Sequence, residues 1–225
     1  MKEIPPLLMK CPLFARIDPA DLPHLLSCLK AQQLHVPKGG HILTQGDPAR
    51  FFGVLLSGRA QIIRGDMQGS HTVTAAVHPG DLFAEALICA GEEFLPVNVI
   101  ATEECVVLLI EHNRLIHACQ KGCMSHSLLV TSLLRILSQK TLLLNQKLEI
   151  VTRRTTREKL MAYLQTQSTH ANSRRFIIPF DRQGLADYLG VERSAMSTEL
   201  GKLKKAGLID FRKNEFELLD SFPLA

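Results

Sequence analysis

The sequence lacks tryptophan and holds only two tyrosines, and its 225 residues carry a net charge of only +4. It also lacks a long apolar run, since no stretch approaches the roughly 18 consecutive apolar residues of a membrane span. The N-terminus places Glu3 and then two prolines after Lys2, whereas a secretory signal needs an apolar stretch after a basic start. We therefore expect a cytoplasmic protein without a membrane partner.

Sequence signatures of catalysis are also missing. The chain has no Walker loop, no nucleophile elbow and no Ser-His-Asp signature. Its nine histidines include no His-x-His of the kind that a cupin-type metalloenzyme needs. We therefore expect neither an enzyme nor a resident metal site. A cupin-like metalloenzyme is the alternative, which a stoichiometric bound transition metal and turnover of a small molecule would support.

The six cysteines are spread through a chain much longer than the small secreted scaffolds that disulfides stabilise, so free thiols are expected. Cys119 and Cys123 are close enough in sequence to form a redox pair or to bind a metal. They have no companion ligands nearby, so we favour the interpretation that they are thiols packed on a helix.

Composition and length indicate a globular protein of two domains. Hydrophobic residues make up 46% and charged residues 21% of the chain, far from the composition of disordered proteins. Single domains usually run to about 100–200 residues, so 225 residues suit two. Residues 152–225 hold 13 Lys and Arg against 9 Asp and Glu, and the remainder is balanced at 13 against 13. The positive excess therefore lies in the last third, as a domain that contacts phosphates requires.

The region from residue 34 to residue 110 alternates short apolar runs with turn residues about every ten positions, which predicts an all-β domain. Even spacing of short strands favours a roll or barrel, because closure removes exposed strand edges. The predicted strands cover residues 40–43, 51–56, 60–63, 72–77, 97–100 and 105–110.

Helices are predicted on both sides of the β region. The first runs from Asp18 to Lys30, with Asp18 as N-cap and Pro19 at the first helical position. The second starts at residue 125 or 127 and runs without Gly or Pro to about Val151. Its leucines and isoleucines cover more than one side, so it needs a second partner beside the β domain. A symmetry-related copy of the same helix is the favoured partner, and a central helix inside one larger core is the alternative.

The last third opens with a hinge at residues 152–155. Thr155 and Glu158 form a capping box that starts a helix running to about Thr166. The tail, residues 208–219, is two alternating runs around the polar pair Lys213-Asn214, which predicts a β-hairpin.

Between these elements the sequence predicts a helix-turn-helix. Gly190 can adopt the left-handed conformation that reverses the chain between two short helices, and Gly207 can end the second helix. Ala186 is small where the two helices should cross. The other inner-face residues are Leu185 and Leu189 in the first helix, with Val191, Met196, Leu200 and Leu203 for the second. The residues left outward near the start of the second helix are Arg193, Ser194, Ser197 and Thr198.

This arrangement predicts a winged helix-turn-helix that binds double-stranded DNA. Arg193 can make the bidentate contact with guanine that dominates specific readout in the major groove. For each charged residue, the alternative interpretation is that it lies on an ordinary solvent-exposed helix face and contacts no DNA. The alternative for the chain is a scaffolding module without DNA binding, which a steep salt dependence of DNA binding would reject. Phosphate contacts are expected from Gln183, Lys202 and Lys204 and, at the hairpin tip, from Arg212 and Lys213.

The order of β-roll, long helix and winged helix resembles the cAMP receptor protein/fumarate-nitrate regulator (CRP/FNR) superfamily over roughly residues 10–220. The resemblance implies an α+β fold in which residues 1–123 form an effector-sensing β-roll. Residues 124–153 are then a dimerisation helix and hinge, and residues 154–225 a winged helix-turn-helix domain. The motifs that carry the resemblance are Gly40-x-Ile42-x-x-x-Gly46-Asp47 to Gly58, Pro79-Gly80-Asp81-Leu82-Phe83-Ala84-Glu85, and Leu185-Ala186 to Gly207-Leu208-Ile209.

The resemblance further implies a homodimer on a two-fold-related DNA site, with half-sites about one helical turn apart. RNA polymerase is a further partner if the protein activates transcription. The sequence departs from the family at Thr198, where many relatives place a base-contacting arginine, and at Ser194, where glutamate is frequent. We therefore expect an operator that differs from those of both founding members.

Cyclic-nucleotide-binding relatives use an acidic residue, matched by Glu85, for the ribose, and a later arginine for the cyclic phosphate. Residues 94–98 read Phe-Leu-Pro-Val-Asn, without an arginine, so cAMP is disfavoured. Glu85 is then interpreted as a structural hydrogen-bond acceptor. Cys11 and Cys28 do not form the tight N-terminal cluster of the iron–sulfur sensors, so an iron–sulfur cluster is disfavoured too.

The apolar stretch at residues 83–88, followed by Leu95-Pro96-Val97, resembles the branch of the superfamily associated with nitrosative-stress control and proposed haem binding. Haem is therefore the candidate cofactor, and another small-molecule effector is the alternative. The residues predicted to contact the effector are Phe83, Glu85, Leu87, Pro96, Val97 and Leu129.

Overall fold

Short antiparallel strands occupy the region between residues 32 and 111, as its turn-rich sequence predicts. The computed structural model describes residues 6–65, 71–116 and 124–223. In these ranges the strands of this region form two four-stranded sheets, which confirms the predicted β-roll. The strands are β1 (Gln32–Val36), β2 (His41–Leu43), β3 (Phe51–Ser57), β4 (Ala60–Gly65), β5 (His71–Val77), β6 (Leu82–Phe83), β7 (Asn98–Ala101) and β8 (Cys105–Glu111). The sheet orders are β1-β8-β3-β6 and β2-β7-β4-β5.

The two sheets of the roll contribute side chains to one apolar core. Val36 and Val107 come from the first sheet and Val99 from the second, and all three are buried. Phe83 is 1% exposed and lies opposite Gly53 in the pairing of β3 with β6. A Cβ atom at Gly53 would come within 2.0 Å of Phe83 Cζ. The glycine therefore makes room for the aromatic ring.

In the described part of the chain, four short helices accompany the strands of the roll, and the second of them corrects the sequence prediction. The predicted helix from Asp18 to Lys30 is wrong at its start. Asp18 Oδ1 accepts a hydrogen bond from the backbone N–H of Ala20 (2.9 Å) within a turn, and the helix begins only at Leu22. An Asp side chain that bonds its own backbone nearby competes with helix formation. The helices are α1 (Pro6–Lys10), α2 (Leu22–Cys28), α3 (Glu85–Cys89) and α4 (His112–Ile116).

The long helix α5 (Met124–Val151) confirms the helix predicted to end near residue 151. Near its start, Ser125 Oγ donates to Asp21 Oδ2 (2.7 Å), just before α2. Leu129 and Leu133 are buried in the same apolar cluster as Leu22. Large apolar side chains on the rest of the helix are exposed, namely Leu134, Leu142, Leu143, Leu144 and Leu148.

Within the described ranges, α5 is also the helix whose length and hydropathy would allow it to cross a membrane. The helix contains no consecutive apolar run of about 18 residues and meets this criterion through its mean hydropathy instead. Serines, threonines and a few charges interrupt the consecutive apolar residues, but they lower the mean hydropathy over 18 residues only to 1.3. Core helices of soluble proteins pass the same test, so the property is weak support for a membrane location.

The packing divides the chain into two compact units, residues 1–139 and 140–225, and the division falls inside α5. Leu129 and Leu133 belong to the core of the first unit, whereas Ile150 belongs to the core of the second. The boundaries after residues 123 and 153 therefore remain predictions.

The second unit combines helices with a small antiparallel sheet of order β10-β11-β9. Its elements are α6 (Thr156–Ala171), β9 (Arg175–Ile177), α7 (Arg182–Leu189), α8 (Arg193–Lys205), β10 (Ile209–Arg212) and β11 (Glu215–Leu218). The predicted capping box is confirmed: Glu158 N–H donates to Thr155 Oγ1 (3.1 Å), and Thr155 N–H donates to Glu158 Oε2 (3.2 Å). The helix continues past the predicted end at residue 166 and stops where Asn172 takes a φ of 46°.

The predicted hairpin is confirmed as β10 and β11 joined by Lys213 and Asn214. Lys213 has a φ of 54°, as a tight two-residue turn requires. Asn214 Nδ2 donates to the carbonyl of Ile178 (3.3 Å), and Ile178 N–H donates to the carbonyl of Asn214 (2.9 Å). These bonds tie the turn to the segment that follows β9.

Candidate nucleic-acid interface

A tight turn at Gly190 joins α7 to α8. Asp181 caps α7, since its Oδ1 accepts a hydrogen bond from Gly184 N–H (2.7 Å). Gly190 has φ 61° and ψ 48°, the left-handed conformation that glycine adopts at least cost. Val191 N–H then donates to the carbonyl of Ala186 (3.0 Å). The predicted inner residues are buried, except that Val191 is half-buried; the buried set is Leu185, Ala186, Leu189, Met196, Leu200 and Leu203.

The opposite face of α8 carries the side chains predicted to enter the major groove. Arg193, Ser194, Ser197 and Thr198 are all exposed at the start of the helix. Thr198 Oγ1 donates to the carbonyl of Ser194 (3.0 Å), so its hydroxyl hydrogen is engaged with the helix backbone. Arg193 and Ser197 therefore offer the more available donors on this face.

The predicted phosphate-contacting residues are exposed, but several have partners within the unit. Gln183 Nε2 donates to Asp187 Oδ1 (2.8 Å). Lys202 forms an ion pair with Glu199, and Lys204 forms one with Asp210. Binding of phosphate by these three side chains would require an exchange of partners. Arg212 and Lys213 lie exposed at the hairpin tip.

Arg182 is a cation that the sequence analysis missed. Its Cζ lies 4.8 Å from the centroid of the Phe211 ring and 5.4 Å from that of Phe216. This half-buried position lowers the pKa of the guanidinium from its ordinary value through desolvation. The two rings hold Arg182 in place near the hairpin tip, beside Lys213. Its signal in the sequence is only its place directly after the N-cap Asp181.

The N-terminus of α6 also takes part in this surface. A groove of about 560 Å³ separates it from the outward side of α8. Arg157 lies in the first turn of α6, and it too was missed, because the sequence analysis treated this helix only as a domain start. The groove is lined by Thr155, Thr156, Arg157, Ser194, Ala195, Thr198, Glu199 and Lys202.

An aromatic cluster supports α7 from beneath. The ring centroids of Tyr163 and Tyr188 are 5.3 Å apart, and those of Phe180 and Tyr188 are 5.1 Å apart. Tyr163 is 1% exposed, and its burial raises the pKa of its hydroxyl. Lys147 Nζ lies 5.0 Å from the Tyr188 centroid on the outer side. Packing of this kind restricts the movement of the helix that carries Gln183.

The predicted effector-contacting residues lie in the first unit, and three of them belong to or pack against its two apolar clusters. Phe83 is buried in the core of the roll, and Leu87 packs against the same core. Leu129 is buried in the other cluster, beside α2. Glu85 and Val97 are buried as well, and Pro96 is half-buried. Their role in effector binding stays a prediction.

The candidate metal and redox residues are only partly within the described ranges. His117, Cys119 and Cys123 lie outside them. Among residues 6–65, 71–116 and 124–223, no group of three or more His, Cys, Asp and Glu side chains is arranged to hold a metal ion. Cys11 and Cys105 are free and buried, and desolvation raises the pKa of both thiols.

Two domain families match this sequence. Residues 33–121 match the cyclic nucleotide-binding domain, and residues 158–224 match the Crp-like helix-turn-helix domain. The two matches coincide with the β-roll and with the unit that contains α7 and α8. Among curated protein sequences, none matches this chain significantly.

Solved structures share the architecture of the whole chain at low sequence identity. The catabolite activator protein of Thermus thermophilus has a TM-score of 0.53 at 21% identity, over 93% of this chain and 94% of that one. DNR from Pseudomonas aeruginosa has a TM-score of 0.52 at 22% identity, over 98% and 97%. The c-di-GMP responsive global regulator CLP of Xanthomonas campestris has a TM-score of 0.53 at 19% identity, over 91% and 100%. At such identities the likeness shows the fold.

Proposed function

Because the chain belongs to the CRP/FNR superfamily of DNA-binding transcription regulators, we propose that it binds a palindromic promoter site as a homodimer under control of a small molecule sensed by the roll. The observation that carries this proposal is the exposed face of α8, with Arg193, Ser194, Ser197 and Thr198 beyond the Gly190 turn. A helix presented in this way enters the major groove with its N-terminal residues toward the base edges.

The proposed DNA contacts divide into base reading and phosphate binding. Arg193 pairs with the O6 and N7 atoms of a guanine. The neighbouring bases, including the methyl group of a thymine, are contacted by Ser194, Ser197 and Thr198. The phosphate contacts fix the position of the helix without reading sequence. They come from Gln183, Lys202, Arg212 and Lys213, with the addition of Arg157 and Arg182.

The dimer contact is proposed along α5. Apolar residues at positions 130, 134, 137, 144, 148 and 151 follow alternating spacings of four and three, interrupted only by Thr141, which is the pattern of a two-stranded coiled-coil seam. Three of the leucines in this seam are 61%, 67% and 58% exposed in the single chain, namely Leu134, Leu144 and Leu148. A second copy of the helix would cover them, and its two-fold axis would place two α8 helices on half-sites about one helical turn apart. An activator of this kind would also contact RNA polymerase.

The effector is proposed to be a molecule other than a cyclic nucleotide, with haem as the first candidate. The segment between α3 and β7 carries Glu92 and Glu93 and no Lys or Arg, so it offers a cyclic phosphate no cationic partner. We place the protein in the cytoplasm, where promoter DNA is accessible. Absorption spectra with and without haem, and titration with cAMP, test this assignment.

Arg193→Ala tests the base-reading assignment. Bound duplexes are first selected from random-sequence DNA, and the affinity of the variant is then measured for the selected site and for unrelated DNA. The loss should be about 1–3 kcal/mol on the selected site and small on unrelated DNA. Lys213→Ala is the matched control. Loss of a phosphate contact should weaken binding to the selected site and to unrelated DNA similarly, and it should reduce the slope of log affinity against log salt concentration by about one. Equal losses for Arg193→Ala on both DNAs would show that α8 does not read bases.

The double substitution Leu144→Lys, Leu148→Lys tests the dimer. Charges in the seam should separate the protomers, and site affinity should fall by more than the Arg193→Ala loss, because both half-site contacts must then form independently. Sedimentation at micromolar concentration reports the oligomeric state. Leu142→Lys is the control, since residue 142 lies outside the seam. A wild-type monomer under these conditions would contradict the proposed assembly.

A further inference from the structure

A carboxylate lies among the cationic and hydroxyl side chains at the start of α8. Glu192 is the N-cap residue of this helix, and its exposed side chain makes no capping hydrogen bond to the helix backbone. Its Oε1 instead accepts a hydrogen bond from the Ser194 hydroxyl. The carboxylate is thereby held beside Ser194, on the surface that also presents Arg193.

A carboxylate in this position repels DNA phosphates, because the two groups carry charge of the same sign. The base edges in the major groove offer it donors instead, the N4 amino group of cytosine and the N6 amino group of adenine. Adenine places the N7 acceptor next to N6, so a carboxylate that approaches N6 also meets a lone pair. Cytosine has no acceptor at that place. Of the four bases, cytosine therefore fits Glu192 best.

The neighbouring Arg193 has the complementary preference. Its guanidinium donates to the O6 and N7 acceptors of guanine. An adjacent acceptor and donor at the start of one helix match a step that contains both cytosine and guanine. Because each side chain disfavours the base that the other prefers, the pair also fixes the register of the helix on the site.

We infer that Glu192 accepts a hydrogen bond from the N4 amino group of a cytosine in each half-site, and that Ser194 is the positioning residue that orients its carboxylate. This inference rests on the proposed function, since it assumes that the start of α8 faces the major groove. Glu192 is then a determinant of specificity, and its loss changes which base is preferred at one position.

Glu192→Gln gives the sharpest test. Duplexes bound by the wild-type protein and by this variant are selected from random-sequence DNA and compared position by position. The wild-type protein should prefer cytosine by about 5- to 100-fold at one position of each half-site. Glutamine carries both an acceptor and a donor and pairs with adenine N6 and N7, so the variant should prefer adenine there. The other positions should not change.

Two further variants separate position-specific reading from general electrostatics. Ser194→Ala should weaken the cytosine preference several-fold without a shift to adenine, because the carboxylate remains but is no longer oriented. Glu217→Gln removes one negative charge from the outer face of the small sheet, where Glu217 pairs with Arg175, and should leave the selected sequence unchanged. Thermal midpoints of all variants confirm that the fold is retained.

Two results would overturn the inference. A uniform gain in affinity of Glu192→Gln for all duplexes would show that the carboxylate opposes phosphates. An unchanged selected sequence would show that it does not face the bases. Failure of the wild-type protein to select any sequence would instead overturn the proposed function, and this inference with it, so the two failures are distinguishable.

Discussion

The two units set the starts of their helices in different ways. In the second unit, nearby side chains cap α6 and α7, although not α8: Thr155 accepts from Glu158 N–H, and Asp181 accepts from Gly184 N–H. In the first unit, α2 and α3 begin without a side-chain cap. The residue before α3, Ala84, has a φ of 62°, a conformation that only surrounding structure can impose on alanine. The starts of α6 and α7 are therefore set by nearby residues, whereas α3 depends on contacts with distant ones.

The same difference separates the candidate binding residues. Those predicted for the second unit are exposed on α7, on α8 and on the hairpin, so they can change with little loss of stability. Among those of the first unit, Phe83, Val97 and Leu129 are buried core residues. Under the proposed function, the DNA specificity can therefore vary independently of the fold, whereas a change of effector requires repacking of the roll.

The largest expected effect comes from a glycine of the roll, in the substitution Gly58→Ala. Gly58 has a φ of 82°, and a Cβ there would lie 2.2 Å from the carbonyl oxygen of Glu104. The left-handed conformation and the collision should together cost about 2–5 kcal/mol. Urea unfolding with hydrogen exchange resolved to each unit measures the loss, which should be confined to the first unit.

Gly190→Ala is the matched substitution in the second unit. Gly190 has a φ of 61°, but a Cβ there meets nothing within 4 Å. Only the conformational cost of about 1–2 kcal/mol remains. If Gly58→Ala and Gly190→Ala lower the free energy of unfolding equally, the comparison fails. The collision with the carbonyl of Glu104 would then add nothing to the cost at Gly58.

A smaller effect is expected from the capping box in Thr155→Ala. The variant loses the acceptor for Glu158 N–H, at a cost of about 0.5–2 kcal/mol to the second unit. Thr169→Ala is the control, since Thr169 lies exposed in the last turns of the same helix and caps nothing. If Thr155→Ala and Thr169→Ala lower the free energy of urea unfolding equally, the start of α6 is held by packing and not by the capping box.

The elements that the sequence predicts correctly follow local rules. Helix α6 starts at the capping box, the turn between α7 and α8 uses Gly190, and the hairpin turns at two polar residues. The exposed side chains of α8 follow from the helical period once its buried stripe is identified. Each of these signals spans fewer than about ten residues, the range over which sequence patterns are informative.

The elements that were missed depend on distant residues. Strand β6 has two residues and exists through its pairing with β3, about thirty positions earlier. The turn at Asp18 differs from these cases, because there a local hydrogen bond to the Asp18 side chain replaces the predicted helix start. The position of Arg182 was not predicted, because the Phe211 and Phe216 rings that contact it lie in the hairpin, about thirty residues later in the sequence. No spacing within the helix-turn-helix indicates that contact.

The smallest expected effect concerns the ion pair between Lys204 and Asp210, in the substitution Asp210→Asn. The hydrogen bond from Lys204 lowers the pKa of Asp210 below its ordinary value, and the pair is exposed to solvent. A carboxyl with a lowered folded-state pKa stabilises the fold above its unfolded pKa of about 4, and that contribution disappears as the pH falls through the folded value. Thermal midpoints of the wild-type protein should therefore exceed those of the variant slightly at pH 7, and the two should converge on acidification. A difference that persists in acid would show that the charge of Asp210 is not its source.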